Sequence, residues 1–159
     1  YTLYIFFRII SIEFGGIALK KYYSSGEEQT ALIAREICAD IPGGTVVAFS
    51  GGMGMGKTAF VRGALKAYGN ESFVCSPTFA LVHDYGGEPH IYHFDMYRIS
   101  GLDDLYSTGF FDYLDAGGVL VIEWSENVLE FLPKDMIRVD IKRISDNERE
   151  ITVKRGEKK

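Results

Sequence analysis

The run GGMGMGKT, residues 51–58, constrains this chain more than any other stretch. Gly51, Gly56, Lys57 and Thr58 stand at the spacing G-x-x-x-x-G-K-[ST]. Glycine at 51, 52, 54 and 56 lets the backbone turn its N–H groups inward around phosphate oxygens. Met53 and Met55 contribute main chain to the same cradle. A helix starting near Lys57 turns the positive end of its dipole toward the anion. In that arrangement Lys57 reaches the β- and γ-phosphates, and Thr58 places its hydroxyl on Mg²⁺. The motif needs a strand before it and a helix after it. TVVAFS before it is a short β-branched and aromatic run. KTAFVRGALKAYG after it keeps Phe60, Val61, Ala64, Leu65 and Tyr68 at helical spacing, with Gly69 as a stop. A nucleotide triphosphate site with Mg²⁺ is the expectation.

The remaining elements extend this pattern. SSGEEQTALIAREICADI reads as a helix, with Ser25 and Glu28 at capping-box spacing and Ile33, Ile37 and Ile41 in one apolar stripe. FALVHDY and HIYHFDMY read as a hairpin across GGEP. SGLDDLYSTGFFDYLDAGG is helical and broken at Gly109, VLVIE is a buried parallel strand, and SENVLEFLP is a short helix. MIRVDIKRI and REITVK close the domain as strands. Helices interleaved with buried strands give an α/β fold, a P-loop NTPase-like three-layer sandwich on a mixed parallel and antiparallel sheet. Residues 20–159 form a single domain. Residues 1–19 are an extension, read as an extra strand or a loosely ordered segment. Arg8 and Glu13 interrupt its apolar run well short of the roughly 20 residues a membrane span needs.

Charge bounds the partners. Seventeen basic against 22 acidic residues leave a net charge of −5. An acidic chain is a poor stand-alone binder of nucleic acid, because that affinity rests on neutralising phosphates. Cys38 and Cys75 make neither a disulfide framework nor a metal cluster by spacing, which fits reduced thiols in a cytoplasmic protein.

Magnesium takes carboxylates besides a hydroxyl. Glu123 ends VLVIE, where open α/β sheets place their ligand sites, and so has the shape of a Walker B acid. A strand-end acid facing solvent is the bland alternative. Trp124, the single tryptophan, follows it as core filler or as a neighbour of the nucleotide. In HFDMYRI, residues 93–99, strand alternation turns Tyr92, Phe94 and Met96 to one face and His93, Asp95 and Tyr97 to the other. The second face is directed at the phosphate site, with His93 as the hydrogen-bonding neighbour of Asp95 or as a purely structural histidine.

GGMGMGKT, SPTFALVHDY, HFDMYRI and VIEW, in that order, resemble the bacterial TsaE (YjeE) family from about Lys20 onward. The resemblance implies a small Mg-dependent P-loop ATPase needed to make threonylcarbamoyladenosine in tRNA. It implies partners TsaD and TsaB in a complex, with tRNA met only through that complex and no membrane. It further implies Asp95 and Glu123 as an acidic pair near Mg²⁺, alongside Thr58. Lys57 joins them in catalysis, Ser76 and Thr78 form a switch-like segment, and Glu27, Thr30 and Arg149 border the adenosine. Phe79 and Ala80 stand where that family usually has tyrosine and threonine. A small-molecule kinase using the same loop is the alternative; it needs a basic lid, and the arginines here are scattered.

Overall fold

The computed structural model describes residues 9–14, 17–77 and 80–156. Among the described residues two strands come first, β1 (Ile9–Phe14) and β2 (Ile17–Ser24), paired antiparallel. β2 runs through the expected boundary between residues 19 and 20. Helix α1 (Glu27–Cys38) follows, acidic in its first turn and basic at Arg35 in its last, as the helix dipole favours. Its start differs from the expected capping box. Gly26 is the N-cap, one residue later than the sequence suggested, so Gln29 and not Glu28 stands where a side chain can reach back. Gln29 Oε1 accepts from the Ser25 backbone N–H at 2.6 Å and from the Ser25 hydroxyl at 2.8 Å.

β3 (Val46–Ser50) leads into the glycine-rich loop and α2 (Lys57–Ala67) leaves it. The hairpin is β4 (Val82–Asp84) and β5 (Ile91–Asp95), and two short helices follow, α3 (Leu102–Ser107) and α4 (Phe110–Asp115). β6 (Val119–Glu123), β7 (Ile137–Arg143) and β8 (Arg149–Arg155) complete the chain. The short helix expected at SENVLEFLP is instead two 3₁₀ turns, Ser125–Asn127 and Leu129–Phe131. Val128, with φ near −129°, interrupts helical geometry between them.

All eight strands form one sheet in the order β1-β2-β8-β7-β3-β6-β5-β4. β7, β3, β6 and β5 run parallel, and β8, β2, β1 and β4 join antiparallel. The mixed three-layer α/β sandwich read from the sequence is therefore present. One face carries α1 and α2, whose Ile33, Ile37, Phe60 and Leu65 pack with Phe49, Val121, Val139 and Ile151. The other carries α3 and α4, whose Leu105 and Phe110 pack with Phe94, Leu120 and Ile122. Every residue of β5 and β6 is buried, as expected for strands covered on both faces. α1 and α2 cross closely at Gly63, where an added Cβ would lie 2.0 Å from the Ala31 carbonyl oxygen. Among the described residues, no helix is long and apolar enough to cross a membrane.

Candidate functional site

Three parallel strands end at one cavity of about 590 Å³. β3 delivers the glycine-rich loop, β5 delivers Asp95, and β6 delivers Glu123 and Trp124. This is the carboxyl end of the parallel strands, where α/β sheets bind ligands. The size suits a nucleotide-scale ligand.

The loop has the backbone that a phosphate cradle requires. Gly51, Gly54 and Gly56 have φ of 125°, 72° and 105°, while Gly52 is not in that region. At Gly51 the requirement is double, because a Cβ would also meet the Ile141 carbonyl oxygen at 2.8 Å. Lys57, the first residue of α2, is 6% exposed and donates to the carbonyls of Gly51 at 2.9 Å and Gly52 at 2.8 Å. Its ammonium stands 4.7 Å from the centre of the Trp124 ring, close enough for a cation–π attraction. Trp124 takes φ of 57°, a left-handed conformation costly for a bulky residue. The neighbouring Ser125 hydroxyl fixes that corner by donating to the Phe49 carbonyl at 2.8 Å, and Tyr97 packs on the indole with ring centres 5.0 Å apart.

Asp95 and Glu123 are register partners across β5 and β6, and each is 5% exposed. Asp95 accepts from the Ser76 hydroxyl at 3.2 Å and from the Tyr97 backbone N–H at 3.0 Å. Alternation along β5 is as expected: Tyr92, Phe94 and Met96 enter the core against α3 and α4. The partner of His93 is different from the one expected. Its Nε2 lies 2.9 Å from Glu123 Oε1, so the imidazole pairs across the ladder and not with Asp95 on its own strand. The reason is register, which places His93 opposite Val121, two residues before Glu123 and on the same face of the sheet, so the two side chains are diagonal neighbours.

Of the other expected residues, Met53, Gly54, Met55, Gly56 and Thr58 line the cavity, as do Glu27, Thr30, Ser76 and Arg149. Gly51 and Gly52 belong to the loop but are not among the residues that line the cavity. Thr78 lies outside the described residues. Thr30 is buried, and its hydroxyl is engaged at the start of α1, 2.6 Å from the Ser24 hydroxyl and 3.1 Å from the Gly26 carbonyl. Arg149 braces the loop: its Nε donates to the Met55 carbonyl at 3.2 Å, while Nη1 holds the carbonyls of Ser145, Asp146 and Glu148.

Five lining residues were not foreseen: Gly26, Ala59, Arg62, Asp146 and Asn147. Arg62 had a signal, since it stands four residues after Thr58 and so shares its helix face. It meets Glu27 at 3.4 Å. Asp146 and Asn147 belong to the turn between β7 and β8, and no local pattern ties that turn to the loop after β3.

The donor set fits magnesium. Thr58, Asp95 and Glu123 offer one hydroxyl and two carboxylates to the same cavity. Among the described residues no group of three His, Cys, Asp or Glu side chains forms a ready-made metal cage. Mg²⁺ characteristically takes one or two carboxylates and completes its octahedron with phosphate oxygens and water.

Comparisons with known proteins place the chain in a family and a fold. Residues 24–151 match the model of the family described as threonylcarbamoyl adenosine biosynthesis protein TsaE. A TsaE protein of Treponema pallidum is 38% identical over 110 residues, covering 69% of this chain and 82% of the relative. One from Bacillus subtilis is 35% identical over 133 residues, covering 83% of each. The crystal structure of YdiB from Bacillus subtilis superposes with a TM-score of 0.74 at 32% identity, over 89% of this chain and 88% of that one.

Proposed function

The chain belongs to the TsaE family of threonylcarbamoyl adenosine biosynthesis proteins, and on that premise we propose that it is the ATP-hydrolysing component of this tRNA-modification pathway. It binds ATP with Mg²⁺ and uses hydrolysis to support turnover of a TsaB–TsaD complex, without transferring the threonylcarbamoyl group itself. The observation that carries the reading is the convergence of Asp95 and Glu123, paired across two parallel strands, on the cavity lined by the Gly56-Lys57-Thr58 loop.

Phosphoryl transfer to water asks the protein for position and charge neutralisation more than for covalent chemistry. The loop amides and the start of α2 hold the phosphates. Lys57 exchanges its carbonyl partners for phosphate oxygens and balances charge there. Thr58, Asp95 and Glu123 would hold Mg²⁺, which would supply positive charge to offset that of the phosphates. Asp95 keeps the attacking water in line with the γ-phosphorus. The water oxygen bonds to phosphorus as the bond to the bridging β-phosphate oxygen breaks, the water's proton passes to the released phosphate, and ADP and phosphate leave. Ser76 and Thr78 form the segment that responds to the γ-phosphate, Ser76 through its hydrogen bond to Asp95. Glu27, Thr30 and Arg149 border the adenosine.

The test is ATP hydrolysis by the chain alone and with TsaB and TsaD. Stimulated release of phosphate supports the reading. No stimulation and no complex would sink it, and a phosphorylated metabolite in place of free phosphate would make the chain a kinase. Two substitutions separate binding from chemistry. Lys57→Ala weakens ATP binding in calorimetry. Asp95→Asn binds ATP but loses about 100-fold or more in turnover, a loss typical of removing one transition-state contact.

A further inference from the structure

His93 does not line the cavity. It is fully buried on β5, flanked by Ile91, Tyr92 and Phe94 and two residues before Asp95. An apolar residue would fill this position at lower cost, because a buried polar group is tolerated only when hydrogen-bonded. Both imidazole nitrogens have partners. In the 2.9 Å contact, a Glu123 carboxylate without its proton would accept and His93 Nε2 would donate. Nδ1 faces the Tyr85 hydroxyl at 3.4 Å, and the two rings stack with centres 6.2 Å apart. That hydroxyl also donates to the Cys75 carbonyl at 3.2 Å. Burial, reinforced by the nearby Cys75 thiol, raises the Tyr85 pKa above its ordinary value, so the phenol keeps its proton.

These contacts close a ring. It runs from Glu123 to His93 and Tyr85, through the Cys75–Ser76 peptide to Asp95, and back to Glu123 across the β5–β6 ladder. The ring contains both cavity carboxylates. A phenol has one proton, and here two acceptors compete for it: His93 Nδ1 and the Cys75 carbonyl.

We infer that His93, braced by Tyr85, is a positioning residue that aims the Glu123 carboxylate into the cavity, and that the Tyr85 hydroxyl couples this aim to the segment bearing Ser76. The inference rests on the ATP-hydrolysis reading for its consequence, but the hydrogen bond itself is independent of it. Partners that orient ligating groups typically contribute about 10–100-fold in metal affinity or activity.

The experiment uses the full chain and three variants: His93→Phe, which keeps a ring and removes the donor; His93→Gln, which restores an N–H donor; and Tyr85→Phe. In the protein alone, nitrogen-15 NMR of labelled histidine reads which nitrogen of His93 carries the proton. The expected result is a protonated, slowly exchanging Nε2 whose signal moves in Glu123→Gln. Calorimetry with ADP and with Mg-ATP, and turnover in the partner-stimulated assay, complete it. His93→Phe is expected to lose about 10–100-fold in turnover with ADP affinity unchanged. His93→Gln should recover most of that loss, and Tyr85→Phe should show a smaller drop. A bare Nε2, wild-type turnover in His93→Phe, or a His93→Gln variant no better than His93→Phe would overturn the inference. If the wild-type chain hydrolyses no ATP, the proposed activity fails, and the NMR result still decides whether His93 holds Glu123.

Discussion

The sheet has two wings on either side of β3, built to different rules. On the parallel wing, β6 and β5 are buried at every position and covered by helices on both faces. On the antiparallel wing, β7 and β8 alternate. Val139, Ile141, Ile151 and Val153 face the core under α1 and α2, while Arg138, Lys142 and Lys154 are exposed on the other face. Double coverage leaves no room for an unpaired polar group, and the three polar side chains of the parallel wing, His93, Asp95 and Glu123, all have partners. Their positions are thereby fixed by packing as well as by hydrogen bonds, which is what a site that works by positioning needs. The antiparallel wing contributes to the cavity only from its turn and strand end, through Asp146, Asn147 and Arg149.

The contrast can be broken by mutation. Phe94→Ala, which removes a ring packed against Phe110 and Tyr113, is expected to cost about 3–5 kcal/mol in urea unfolding. If it costs no more than an exposed substitution, the parallel wing is not the tightly packed one. On β6, Leu120 and Val121 face opposite layers and both are buried, so Leu120→Ala should cost about 2–5 kcal/mol and Val121→Ala about 2 kcal/mol. On β8 the cost should be one-sided: about 2–5 kcal/mol for Ile151→Ala but within about 0.5 kcal/mol for Lys154→Ala. Equal losses at 151 and 154 would erase the distinction between wings. Gly63→Ala, at the helix crossing shared by both wings, should destabilise by about 1–3 kcal/mol, because the obstructing atom is backbone.

The smallest effect lies on the outer face of the antiparallel wing. The Lys21 ammonium, hydrogen-bonded at 3.1 Å, holds the Glu150 carboxyl below the usual glutamate range. A depressed folded-state pKa gives stability that is present at neutral pH and lost as acid protonates Glu150. For a surface pair this is at most about 0.5 kcal/mol. The difference in stability between wild type and Glu150→Gln should therefore exist at neutral pH and close in acid, below the ordinary glutamate range. A gap that persists in acid would assign the effect to packing.

Local chemistry was legible and cross-strand chemistry was not. The strand–loop–helix around Lys57 could be read because its glycines, its cation and both flanks lie within one stretch of chain. Glu123 stood at a strand end, where the rule for parallel strands carries it to the loop; Asp95 falls inside the strand-like run HIYHFDMY, and its approach came from strand alternation and the family resemblance. The pairing of His93 with Glu123 depends on the register of β5 against β6, which no local pattern encodes. The same is true of the turn carrying Asp146 and Asn147, brought near the loop because β7 lies directly beside β3. The helix start near Ser25 was misplaced by one residue, enough to exchange Glu28 for Gln29 as the side chain that reaches back.

The strand order also governs when this molecule can exist during synthesis. β3, which leads into the phosphate loop, is hydrogen-bonded only to β6 and β7, and β2 finds its second neighbour only in β8. A nascent chain that has made the loop, α1 and α2 still presents VVAFS without a ladder until Val119–Glu123 has emerged. Such sequence-distant pairings slow folding, since loop closure must precede the contacts that reward it. The ribosome therefore releases a phosphate loop whose supporting strand stays unpaired while residues 51–118 are made, and Arg149, which clasps that loop, follows only after β7.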